Sequence, residues 1–157
     1  MTAMMVLGIG NSLAGDDGAG NYAVRLLQMR LEEAKNQGKK HDIIAIDAGT
    51  FPESYTSIIR RAKPELLVLV DAAEMALPPG SIRLVKPERL KSSAFSTHKM
   101  PLNILIDYIK EMCGRVVMVG IQPGEAGTGL SAVVQTAAER LAEMIWCGCI
   151  DEIKPLE

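Results

Sequence analysis

Met4-Met5-Val6-Leu7-Gly8-Ile9, closed by Gly10-Asn11, reads as a buried strand ending in a tight turn. A polar, glycine-rich loop follows over residues 12–20. A helix is then predicted over about 20–35, with Ala23, Leu26, Leu27, Leu31 and Ala34 recurring at helical spacing. Strand, loop and helix in that order open an α/β unit, and the pattern repeats outward from it. Asp42-Ile43-Ile44-Ala45-Ile46-Asp47 is a second predicted strand, ended by Ala48-Gly49-Thr50, and residues 52–62 make a short helix. Leu66-Leu67-Val68-Leu69-Val70-Asp71 is the third strand and the most hydrophobic.

Gly80-Ser81-Ile82-Arg83-Leu84-Val85 alternates apolar and polar, as a half-buried edge strand does. Residues 86–100 read as a long irregular loop, with Pro101 at the first position of the next helix. Leu102, Leu105, Ile106, Ile109 and Met112 mark that helix, and residues 115–121 are a fifth strand. The last helix runs from about Ser131 to Trp146 and carries Val134, Ala137, Ala138, Leu141 and Ile145 on one face. The expected fold is therefore α/β in three layers. A mostly parallel, twisted five-stranded sheet of order 2-1-3-5-4, with strand 4 antiparallel, carries helices on both faces. Ligands of such folds bind outside the carboxyl ends of the strands where connections diverge, here between strands 1 and 3. Asp17 follows strand 1 and Asp71 ends strand 3, so topology alone draws two distant carboxylates to one crevice.

The chain of 157 residues suits a single domain over 1–157, and 48% hydrophobic residues suffice for an ordinary core. A formal net charge of −2 offers no basic field for nucleic acid, and 4% aromatics offer no stacking platform. Met4 to Ile9 is too short for the apolar region of a signal peptide, and no run approaches the roughly 20 residues that span a bilayer. Three cysteines fit a reducing compartment, so a cytoplasmic location is expected. A monomer without membrane or nucleic-acid partners is the further expectation. Cys147-Gly148-Cys149 is too close and too isolated for a zinc site and reads as an inert feature of the tail.

The glycines of Gly8-Ile9-Gly10-Asn11-Ser12-Leu13 invite a dinucleotide reading, but Leu13 stands where the third glycine should be. Asp16 and Asp17 would also repel a pyrophosphate. Gly8 and Gly10 are equally accounted for by close packing and a tight turn. Adjacent carboxylates in Asp16-Asp17-Gly18-Ala19-Gly20 repel each other unless one caps a helix and the other meets a cation. Asp71 and Asp47 each end a strand and read as either solvated termini, caps or ligands. His98 precedes a helix, whereas His41, in Lys39-Lys40-His41-Asp42, reads as solvent-exposed. Two carboxylates and an imidazole could supply three ligands to zinc or nickel and leave positions for water or substrate. No serine or cysteine has an evident histidine partner, which disfavours covalent catalysis.

These motifs resemble those of the hydrogenase maturation endopeptidases. The resemblance rests on Gly8-Ile9-Gly10-Asn11-Ser12, Asp16-Asp17-Gly18-Ala19-Gly20, Asp47-Ala48-Gly49-Thr50, Val70-Asp71-Ala72 and Pro79-Gly80-Ser81-Ile82. Thr97-His98-Lys99-Met100-Pro101-Leu102-Asn103 and Gly120-Ile121-Gln122-Pro123 complete an ordered set. The histidine stretch is most similar to the branch serving the hydrogenase of formate hydrogenlyase and its archaeal relatives.

The resemblance implies an aspartyl-type endopeptidase that cuts a C-terminal extension from the large-subunit precursor of a nickel-iron hydrogenase after nickel insertion. It implies Asp17, Asp71 and His98 as catalytic, metal-contacting residues, and Asp47, Gly49 and Thr50 as substrate-binding ones. The nickel would arrive in the precursor, and zinc or cadmium could occupy the same site in vitro. Two departures stand out: the first ligand is often Glu where this chain has Asp17, and the loop often reads Asp-Gly-Gly where this chain has Ala48. A non-catalytic, metal-binding assembly factor is the alternative, and a nucleotide-binding protein is the third.

Overall fold

The computed structural model describes residues 2–86, 101–124 and 127–157. Strands β1 (Met4–Ile9), β2 (Ile43–Gly49), β3 (Leu66–Ala72), β4 (Ile82–Val85) and β5 (Arg115–Ile121) form one sheet of order β2-β1-β3-β5-β4. All pairs are parallel except β4 with β5, as the hydrophobic patterns predict. β1 and β3 are buried along nearly their whole length, because helices cover both faces of the centre of the sheet. β2 is only half-buried along most of its length, as befits one edge. At the other edge, Leu84 N–H donates to Lys154 O at 2.9 Å and Leu156 N–H donates to Leu84 O at 2.7 Å. Residues 154–156 thus pair with the outer edge of β4 at Leu84.

Helices α1 (Ala19–Asn36) and α4 (Ala132–Trp146) lie on one face of the sheet, and α2 (Thr56–Ala62) and α3 (Leu102–Ile109) on the other. The five residues predicted to form the apolar face of the last helix are all buried in the first of these layers. A 3-10 turn over Pro52–Tyr55 precedes α2, so the single short helix expected there is two elements. α2 stops where Lys63 turns left-handed (φ +45°) and Pro64 follows. Pro101 is the N-cap of α3, one position earlier than predicted, with extended backbone (ψ 138°). β4 begins two residues later than its pattern suggests, because Gly80 and Ser81 are spent on the turn. Of the predicted loop 86–100, only Lys86 lies within the described residues.

α1 sits unusually close to the sheet. A Cβ on Gly8 would stand 2.4 Å from Gly20 O, and one on Gly20 would stand 2.3 Å from Val70 O. Only glycine permits backbone-to-backbone packing at that distance. The first turn of α1 is thereby pressed onto β1 and β3, and the residues just before it are set over the C-terminal edge of those two strands. No helix among the described residues is long and apolar enough to cross a membrane.

Candidate functional site

Asp17 lies in a 3-10 turn, Gly15–Gly18, that feeds directly into α1. Its Oδ2 accepts the Asn11 N–H at 2.8 Å, and the side chain stays half-exposed. The turn is fixed from below at Gly10 (φ +142°), where a Cβ would come within 2.0 Å of Asp17 O. Asp16 is different. It is buried, and its carboxylate accepts Gly124 N–H at 2.9 Å, Ser131 N–H at 2.7 Å and the Ser131 hydroxyl at 2.8 Å. Asp16 therefore satisfies the start of α4, since Ser131 is that helix's N-cap. The capping role that sequence offered for one of the two aspartates belongs to Asp16, toward a helix more than a hundred residues away.

Asp71 is the penultimate residue of β3, opposite Gly120 on β5, and is fully buried. It follows Val70, which is in register with Gly8. Strand alternation gives it the side of the sheet taken by Leu67 and Leu69, against α3. A buried carboxylate persists only when engaged, and Asp71 is engaged. The loop after it is pinned by buried Gln122, whose Oε1 accepts Met75 N–H at 2.6 Å and Leu77 N–H at 3.3 Å. Gln122 Nε2 donates to Glu74 Oε2 at 2.9 Å. Asp17 and Asp71 thus share the C-terminal edge of the β1–β3 pair, Asp17 reaching it from the α1 side and Asp71 from the α3 side. His98, three residues before Pro101, lies outside the described residues. Among the described residues, no three His, Cys, Asp or Glu side chains form a group able to hold a metal ion.

Asp47, at the same edge on β2, is engaged inside the protein. Its Oδ1 accepts Asn21 Nδ2–H at 2.6 Å and Gly49 N–H at 3.1 Å, and its Oδ2 lies 3.4 Å from Arg25 Nε. Its carbonyl accepts the Tyr55 hydroxyl at 3.4 Å. Gly49 adopts φ +58°, whereas Ala48 is not among the positive-φ residues. Alanine at 48 therefore meets no conformational barrier. Asp47, Gly49 and Thr50 line a cleft of about 490 Å³ whose other wall is the Gly10–Leu13 turn. Asn21 and Tyr55 also line it, and sequence reasoning named neither. Asn21 carried a signal: it is a polar residue on the buried face of an amphipathic helix. His41 lies just before β2, at the opposite end of the sheet from this cleft. It is exposed, as expected, but its ring rests 4.2 Å from that of Trp146.

A family model described as hydrogenase maturation protease, HycI, matches residues 22–147. The chain belongs to the hydrogenase maturation protease family. The matched span of this maturation protease contains Asp47, Asp71 and His98, and Asp17 lies five residues ahead of it. The chain is 40% identical over 124 residues to the hydrogenase 3 maturation protease of Escherichia coli K12, covering 78% of this chain and 74% of that protein. A crystal structure of a hydrogenase 3 maturation protease superposes with a TM-score of 0.81 at 35% identity, over 99% of this chain and 97% of the other. The HycI protease of Thermococcus kodakarensis gives 0.80 at 35% identity, over 95% and 93%.

Proposed function

We propose that this maturation protease removes a C-terminal extension from the large-subunit precursor of a nickel-iron hydrogenase, and does so once nickel is in place. The observation that carries the reading is Asp17. A half-exposed carboxylate is held on a close-packed turn at the sheet edge by the Asn11 N–H, beside the strand end that bears buried Asp71. A carboxylate needed only for capping would be consumed as Asp16 is.

Asp17 and Asp71 supply carboxylate oxygens and His98 an imidazole nitrogen, a donor set suited to nickel, and to zinc or cadmium in its place. Nickel belongs to the precursor as cargo, so these three residues read the loaded substrate. They thereby fix the scissile peptide at the edge of the sheet. Gly49 and Thr50 receive the peptide in the adjoining cleft, and Asp47 holds their loop in shape. Hydrolysis adds water across the amide, its oxygen to the carbonyl carbon and a proton to the departing nitrogen.

The test is incubation of the purified protein with nickel-loaded and nickel-free precursor, read by mass spectrometry of the released peptide. Release from the loaded form alone is expected. A folded protein that binds the loaded precursor and releases nothing is an assembly factor, and that result would overturn the endopeptidase reading.

A further inference from the structure

Two large apolar side chains stand in solvent on the two walls of the cleft beside Asp17. Leu13 is 86% exposed and Phe51 is 50% exposed. Both stand among the exposed large hydrophobic side chains of the described residues. Single exposed apolar residues are common and need no explanation. These two differ in how they are held. Leu13 N–H donates to Asn11 Oδ1 at 2.9 Å, in the turn whose Asn11 N–H grips Asp17. Phe51 N–H donates to Ala48 O at 3.2 Å, in the turn that carries Gly49 and Thr50. Each knob is thus presented by a hydrogen-bonded turn, and each turn also carries residues of the candidate site.

The cleft between them is not built for an ionic ligand. Asp47 is the one charged residue among the described lining, and both its carboxylate oxygens are already engaged. What remains is a polar floor between apolar rims, in a volume within the few-hundred-Å³ range of ligand sites. That arrangement fits an extended peptide whose backbone lies on the floor and whose apolar side chain is gripped at the rim.

We propose that Leu13 and Phe51 are specificity-determining residues that clasp an apolar side chain of the precursor segment flanking the scissile bond. This rests on the endopeptidase reading and deepens it. The test compares Leu13→Ser, Phe51→Ser, the double variant and Met29→Ser. Met29 is 67% exposed on α1 and does not line the cleft, so its variant makes a similar surface change elsewhere. Processing kinetics and equilibrium binding are measured with the nickel-loaded large-subunit precursor of the source organism, and cadmium affinity by calorimetry.

Losing one buried apolar contact should raise KM about tenfold, and losing both should raise it further. The kcat should stay within about twofold of wild type, because the contact is uniform between ground and transition states. Cadmium affinity and the Met29→Ser kinetics should match wild type. A double variant with wild-type KM and binding would overturn the proposal and leave the endopeptidase reading standing. A fall in kcat or cadmium affinity at unchanged KM would overturn it as well. If wild type binds the precursor without cutting it, the endopeptidase reading fails, and the clasp stands or falls on whether the double variant loses that binding. If wild type neither binds nor cuts, both fail.

Discussion

The Asp16 carboxylate accepts two hydrogen bonds from Ser131, one from its backbone N–H at 2.7 Å and one from its hydroxyl at 2.8 Å. The contact fastens the turn that carries Asp17 to the N-terminus of α4. It divides the labour of two adjacent aspartates.

Asp16→Asn and Asp17→Asn should therefore part company. In Asp16→Asn, a buried amide group must face N–H donors, and the loss should be about 2 kcal/mol, or roughly 4–8 °C in Tm for a chain of this size. Asp17→Asn keeps an acceptor for Asn11 N–H, so its Tm should stay near wild type while processing of nickel-loaded precursor is lost. Thermal unfolding and peptide release on the same preparations check both. Wild-type processing by Asp17→Asn would make Asp17 a structural residue.

Two glycines test the packing that places the site. Gly20→Ala puts a Cβ against Val70 O in the backbone of β3, which cannot yield, and should destabilise by about 3 kcal/mol. Gly49→Ala has open space around it but must hold φ +58°, which should cost about 1 kcal/mol. Chemical denaturation of the two variants should rank them in that order.

Nickel, zinc or cadmium should bind the isolated protein weakly, because the precursor ordinarily completes the coordination. Calorimetry on wild type and His98→Ala should show smaller heats for the variant. Equal heats would strike His98 from the ligand set.

Asp47→Ala releases Gly49 N–H and Asn21 Nδ2 together and should reduce stability by about 1–2 kcal/mol. It should raise KM for the precursor and leave metal heats unchanged. Arg25→Ala should do less, since the Arg25 side chain is more than half exposed, pairs with one end in solvent are worth about 0–1 kcal/mol, and Asp47 keeps its hydrogen bonds to Asn21 and Gly49. A large loss in Arg25→Ala would show that charge, rather than the two hydrogen bonds, holds the loop.

The sequence by itself determined the layout of the sheet. β1, β3 and β5 are written as continuous apolar runs, and β4 as an alternating one. Helical spacing identifies the face that α4 buries, and in α1 it finds Ala23, Leu27 and Ala34, while Leu26 and Leu31 stay half-buried and Val24 takes a core place. These signals are periodic and local, so they survive without knowledge of the partners. Chain connectivity and handedness then narrowed the strand orders to a few, and the favoured one, which the structure adopts, places Asp17 and Asp71 at one edge. The tertiary structure alone decided which of two neighbouring aspartates is consumed in holding the fold. The partners of Asp16 are 108 and 115 residues away, and nothing periodic links them to it. It alone showed that Asp47 spends its carboxylate on Asn21, Gly49 and Arg25, and that Leu13 and Phe51 line one cleft. A side chain's role is set by what surrounds it in three dimensions, and residue order along a loop carries no record of that surrounding.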